Sequence, residues 1–180
     1  MGENRSKYQI GVLSTLIIKI NMIKKKVCMV GEFSVGKTSL TQKFVNNVFS
    51  ETYLTTIGVK IDTVQIEDTK LVIWDIAGRD SLSPINASYL VGAAGVVLVA
   101  DGTRLQTVES ISEIWSTVRE KIGEVPCVVA LNKADLEDWC VDNTTIESLR
   151  DRGWDVFETS AKDGVMVESL FHKIVEKTKE

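Results

Sequence analysis

The chain has 180 residues, a length suited to one domain with a single substantial core. At 44% apolar, 26% charged and 7% aromatic, its composition excludes the disordered, collagen-like and disulfide-scaffold classes. The formal net charge of −4 supplies no broad basic face, so binding of nucleic acid through bulk charge is not expected.

Residues 1–21 read as an N-terminal extension ahead of a domain spanning 22–180. Ile10 to Ile20 is apolar but broken by Ser14, Thr15 and Lys19. It falls short of a membrane span and lacks the small-x-small cleavage pattern of a secretory signal. Met1-Gly2 with Ser6 fits the loose myristoylation pattern, with Glu3 a poor neighbour for it. Short unbroken apolar runs then recur: Val27 to Val30, Leu71 to Ile76, Val96 to Ala100, Cys127 to Leu131, and a weaker one at Val156-Phe157. Such runs suit strands buried on both faces, as in a parallel sheet. Val59 to Ile66 is half polar and reads as an edge strand, with Glu67-Asp68-Thr69-Lys70 as the turn into the next.

Helical patterns lie between the runs. Ser39 to Val45 continues from a glycine-rich turn. Val108, Ile111, Trp115, Val118 and Ile122 share one helix face, Thr144 to Arg150 is a shorter helix, and Met166, Leu170 and Ile174 mark the last. Strands separated by helices predict right-handed crossovers and a three-layer α/β sandwich. Cys28, Cys127 and Cys140 show no CxxC spacing, which predicts a reduced, cytoplasmic chain with Cys28 and Cys127 in the core. Trp115, Trp139 and Trp154 read as packing residues and His172 as a surface residue. The end, Lys177 to Glu180, carries no cysteine for prenylation, which leaves membrane association undecided.

The strongest local signal is Gly31-Glu32-Phe33-Ser34-Val35-Gly36-Lys37-Thr38, a GxxxxGK[ST] match between a strand and a helix. Glycines let the backbone N–H groups of Glu32, Phe33, Ser34, Val35 and Gly36 wrap a phosphate, and the helix N-terminus adds partial positive charge at Lys37, Thr38 and Ser39. Lys37 can reach the β and γ phosphates, and the Thr38 hydroxyl can ligate Mg²⁺. Asp75-Ile76-Ala77-Gly78 ends the next strand; Asp75 can hold Mg²⁺ through water, and the Gly78 N–H can face a γ-phosphate. Asn132-Lys133-Ala134-Asp135 ends another. A carboxylate at Asp135 can accept both guanine N1–H and the 2-amino group, an arrangement adenine does not offer. Lys133 can lay its stem along the purine, and Asn132 can brace the loops. Ser160-Ala161-Lys162 can offer a backbone N–H to guanine O6. All stand at carboxyl ends of strands, where open α/β sheets bind ligands. An ATP-dependent P-loop enzyme stays open only if Asp135 is a bystander.

From about Ile23 to Lys177 these motifs resemble the Ras superfamily of small GTPases, most closely its Rab-like members. The resemblance implies a six-stranded, mostly parallel sheet with one antiparallel edge strand, and five helices. Thr55-Thr56-Ile57-Gly58 resembles the first switch, with Thr56 joining Mg²⁺ in the triphosphate state. Trp74-Asp75-Ile76-Ala77-Gly78 resembles the second. Phe49 stands where the family places an aromatic ring against guanine, and Tyr53 where a tyrosine closes over the phosphates. The implied activity is hydrolysis of GTP to GDP by a molecular switch that meets effector and regulatory proteins through these segments.

Two positions depart from the family pattern. Arg79 stands where a glutamine would orient the attacking water, and Phe33 stands where a small residue is usual. Slow hydrolysis is therefore expected, because water positioning and an arginine finger supply about three to five decades of rate. Arg79 acting as a finger in cis, and Arg79 as a solvated bystander, are the competing readings. The alternative function is a GTP-binding interaction module with little or no hydrolysis.

Overall fold

A computed structural model describes residues 22–50, 55–78 and 87–180. The expectations placed on residues 1–21, on Tyr53 and on Arg79 lie outside the described residues. The described chain runs β1 (Ile23–Val30), α1 (Lys37–Asn46), β2 (Val59–Ile66), β3 (Thr69–Ile76), a 3-10 turn (Ser88–Leu90), β4 (Gly95–Asp101), α2 (Leu105–Glu109), α3 (Ile111–Ile122), β5 (Cys127–Asn132), α4 (Asn143–Arg150), β6 (Asp155–Thr159) and α5 (Val167–Lys177).

The six strands form one sheet in the order β2-β3-β1-β4-β5-β6. Only β2 and β3 pair antiparallel, with Val59 opposite Ile76 and Ile66 opposite Thr69; the other pairs are parallel. This is the architecture that the resemblance implies, with β2 as the antiparallel edge. The parallel strands all end at one rim, so Val30, Ile76, Asp101, Asn132 and Thr159 deliver their following loops to the same side.

Each central strand buries both faces, which explains the unbroken apolar runs. Along β1, Val27 and Met29 face one core, while Cys28 and Val30 face the other. The first core packs under α1 and α5 through Leu40, Leu170, Phe171 and Ile174. Phe171 is fully buried, and its ring stacks on Phe44 at 4.1 Å between centroids. The second core packs under α3 and α4 through Ile111, Ile114, Val118, Ile146 and Leu149. Trp115, Trp139 and Trp154 pack against its margin, as their reading as packing residues has it. Cys28 and Cys127 are buried; burial pushes the Cys28 thiol up to about 12 and raises that of Cys127 as well, so both are unreactive core residues. His172 is exposed.

Three boundaries differ from the sequence expectation. The turn after β2 is only Glu67-Asp68, because Glu67 adopts a left-handed φ of 52° that reverses the chain within two residues. Thr69 and Lys70 are therefore strand. The helical face from Val108 to Ile122 is split, with α2 and α3 meeting at Ser110. Met166 is not helical: it stands at the head of α5 with φ 54°, and the helix begins at Val167. Among the described residues no helix is long and apolar enough to cross a membrane.

Candidate functional site at the strand-end rim

The chain leaves β1 at Val30, loops through Gly31 to Gly36, and enters α1 at Lys37. Ser34 (φ 62°) and Gly36 (φ 97°) both take left-handed conformations, which curl this loop. Gly36 is fixed by crowding as well, since a Cβ there would overlap the Asn132 side-chain amide. The N-cap of α1 is Gly36, which has no side chain to satisfy the helix's first N–H groups, and such groups suit an anion.

The loop's carbonyls are held by side-chain donors from several elements. Lys37 Nζ donates to Gly31 O and to Glu32 O, both at 2.9 Å. Asn132 Nδ2, from the end of β5, donates to Val35 O at 3.0 Å. Arg104, just before α2, donates from Nη2 to Phe33 O at 2.9 Å. Lys37 is only 6% exposed. Burial lowers its ammonium pKa to about 8, with Arg104 adding to the fall and the Asp75 and Glu32 carboxylates opposing it. A buried ammonium of this kind is stabilised by any anion brought to it.

Thr38 Oγ1 donates to Asp75 Oδ2 at 2.5 Å and lies 2.9 Å from Thr56 Oγ1. With its one proton committed to Asp75, Thr38 accepts from the Thr56 hydroxyl. Asp75 is 1% exposed, and its other oxygen, Oδ1, is buried without a hydrogen-bond partner among the described residues. Burial raises its carboxyl above the ordinary range, against the Thr38 hydrogen bond and the Lys37 charge. Two hydroxyls and an orphaned carboxylate oxygen are hard donors of the kind that suit Mg²⁺. Among the described residues no group of three His, Cys, Asp or Glu side chains gathers to favour a softer metal.

The second expected switch meets the loop directly. A Cβ on Gly78 would stand 2.6 Å from Phe33 Cα and 2.8 Å from Glu32 O, so only glycine fits there. The neighbouring Ala77 N–H donates to Gly58 O at 2.9 Å, which ties both switch segments together at the root of the β2–β3 hairpin. Phe33 is 44% exposed and Phe49 is also exposed.

Further along the rim, Asp135 Oδ1 accepts a 2.7 Å hydrogen bond from Ser160 Oγ. Asn132 braces the loops as its reading has it: besides holding Val35, its Oδ1 accepts from Ala161 N–H and Thr159 Oγ1, both at 3.3 Å. The Ser160 N–H is spent on Val165 O at 3.1 Å and the Ala161 N–H on Asn132, so of these three residues Lys162 alone has an amide that none of these contacts engages. Lys133, in a left-handed conformation with φ 72°, pairs its Nζ with Asp101 Oδ2 at 2.6 Å.

Asp101 and Arg104 have no counterpart among the residues selected by sequence. Asp101 is 1% exposed. Its Oδ1 accepts from Thr103 N–H at 3.0 Å and Thr103 Oγ1 at 2.7 Å, and its Oδ2 from Arg104 Nε at 2.8 Å. An aspartate ending an apolar run at the ligand-bearing rim was the available signal.

Comparison with known proteins follows the same lines. A model of the Ras family matches residues 26–180. The chain is 35% identical over 153 residues to the Ras-related protein RABD1 of Arabidopsis thaliana, covering 81% of this chain and 75% of that protein. It is 35% identical over 158 residues to the Ras-related protein Rab-10 of Diplobatis ommata, covering 84% and 79%. It is 34% identical over 156 residues to the Ras-related protein Rab-13 of Mesocricetus auratus, covering 83% and 77%.

Proposed function

The chain belongs to the Ras family, as a Rab-like GTP-binding GTPase, and from that premise we propose that it is a slow, Mg²⁺-dependent guanine-nucleotide switch. One observation carries the reading: Lys37, Thr38, Thr56 and Asp75 converge on the loop before α1, with a buried carboxylate oxygen left unpaired. Thr38, Thr56 and Asp75 would hold Mg²⁺, which when bound neutralises charge on the transferring phosphate oxygens. Lys37 exchanges its carbonyl partners for phosphate oxygens, and the loop amides complete the cradle. Asp135, fixed by Ser160, accepts from the guanine edge, and Lys133 flanks the base. The Gly78 N–H meets the γ-phosphate; its loss on hydrolysis releases Thr56 and the Asp75 loop together.

Arg79 follows Gly78 in place of a water-orienting glutamine, which supports a low rate. Single-turnover cleavage of GTP by wild type and Arg79→Gln tests this: a faster variant is expected, and a slower one identifies Arg79 as a finger in cis. Phe33 supports the second reading, an interaction module with little hydrolysis, because a phenylalanine with an exposed side chain stands in the phosphate loop where the family has a small residue, on backbone that packs against Gly78. GTP left intact after long incubation with Mg²⁺ would favour that module. Effectors and regulators would read Thr55 to Gly58 and Ala77-Gly78. The nucleotide-binding domain would begin at about residue 22, with residues 1–21 as an appended extension. Chromatography of the copurifying nucleotide after denaturation is expected to show GDP or GTP; ATP would refute the base assignment.

A further inference from the structure

Arg104 is used by none of the motifs, yet it touches both ends of the rim. Its Nη2 donates to Phe33 O in the phosphate-facing loop at 2.9 Å, and its Nε donates to Asp101 Oδ2 at 2.8 Å. That same Asp101 oxygen accepts from Lys133 Nζ at 2.6 Å. The guanidinium therefore closes a chain of contacts from the third position of the phosphate loop to the purine-flanking lysine. Asp101 is a firm anchor for it, being buried and held on its other oxygen by Thr103.

The peptide between Phe33 and Ser34 is trans, so its C=O and N–H point in opposite directions. A donor holding the carbonyl consequently turns the Ser34 N–H to the opposite side. Charge-assisted hydrogen bonds are short, directional and roughly twice as strong as neutral ones, which suits this task. Ser34 already adopts φ 62°, a conformation that a serine takes only where its surroundings hold it. We propose that Arg104 is a positioning residue for nucleotide binding: braced on Asp101, it fixes the Phe33 carbonyl so that the Ser34 amide is presented to the nucleotide's diphosphate.

The proposal rests on the reading of this rim as a guanine-nucleotide site. It is tested on the full chain loaded with GDP and Mg²⁺, comparing wild type with Arg104→Ala and Arg104→Gln. The glutamine variant keeps more of the side-chain volume should the alanine variant fail to fold. Release of a fluorescent GDP analogue is expected to accelerate about tenfold in either folded variant, the worth of one charge-assisted hydrogen bond. The ³¹P resonance of the bound β-phosphate is expected to move, while the preference for GDP over IDP, set by Asp135, stays as in wild type. Unchanged release with an unmoved β resonance overturns the proposal. Faster release without movement of that resonance also overturns it, because general loosening would suffice. A wild-type chain that retains neither GDP nor GTP refutes the underlying site reading instead, and the proposal falls with it.

Discussion

Single side chains at the rim do separable jobs. Asp135 is an acceptor held by the Ser160 hydroxyl, which suits it to the base-choosing role proposed for it. Asp135→Asn is expected to weaken GDP roughly a thousandfold or more, since a partner built for hydrogen bonding is left mismatched. The same variant should gain affinity for the xanthine nucleotide, whose edge accepts where guanine donates; competition binding checks both. Gly78 does a steric job. In Gly78→Ala the added methyl meets backbone atoms of Glu32 and Phe33, which cannot rotate away. A stability loss of about 1–3 kcal/mol in urea unfolding is expected, together with lost GTP turnover. The motif residues were legible because their pattern is local: a glycine-rich turn, NKxD and SAK each occupy three to eight consecutive positions. Arg104 was not legible, and Asp101 showed only as an aspartate ending an apolar run. Their partners, Phe33 and Lys133, are distant in sequence, and only the parallel pairing of β1, β4 and β5 brings them together.

Between elements, the decisive contacts are helix against sheet and strand end against strand end. Phe171 on α5 is fully buried against Phe44 of α1, so Phe171→Ala is expected to cost about 3–5 kcal/mol in chemical denaturation. The end of β4 is tied to its neighbours by charge. Burial pushes the Asp101 carboxyl up, but hydrogen bonds from Lys133, Thr103 and Arg104 outweigh this and hold it below the ordinary carboxylate range. Its folded pKa is thus lower than its unfolded one. The stability it contributes is complete above the ordinary carboxylate pKa and is lost as pH falls through the folded value. Asp101→Asn is expected to destabilise the chain by on the order of 3 kcal/mol near neutral pH. Pairwise denaturation curves should show that gap narrowing below about pH 4. Strand existence and type were readable at this scale because burial on both faces leaves an unbroken apolar run. The boundaries were not readable where one backbone torsion decides them, as at Glu67 and Met166. Nor does the helical period reveal the break at Ser110, since the buried positions Val108 and Ile111 continue across it.

Across the whole molecule, ligand binding and folding are linked. A nucleotide that binds only the folded chain, present at a hundredfold excess over its Kd, stabilises it by about 2.7 kcal/mol. Thermal unfolding of nucleotide-stripped protein is expected to shift upward on adding GDP with Mg²⁺, and less on adding GDP with a chelator. ATP with Mg²⁺ should give no comparable shift. The number of strands and the antiparallel edge were legible as a family pattern, but the strand order was not, because the apolar runs identify strands and not their neighbours. The antiparallel root of β2 and β3 has a mechanical meaning. Gly58 and Ala77 hang from opposite legs of one ribbon and share a rung. That one rung fastens the residue entering β2 to the residue leaving β3, so a pull on either end is felt at the other.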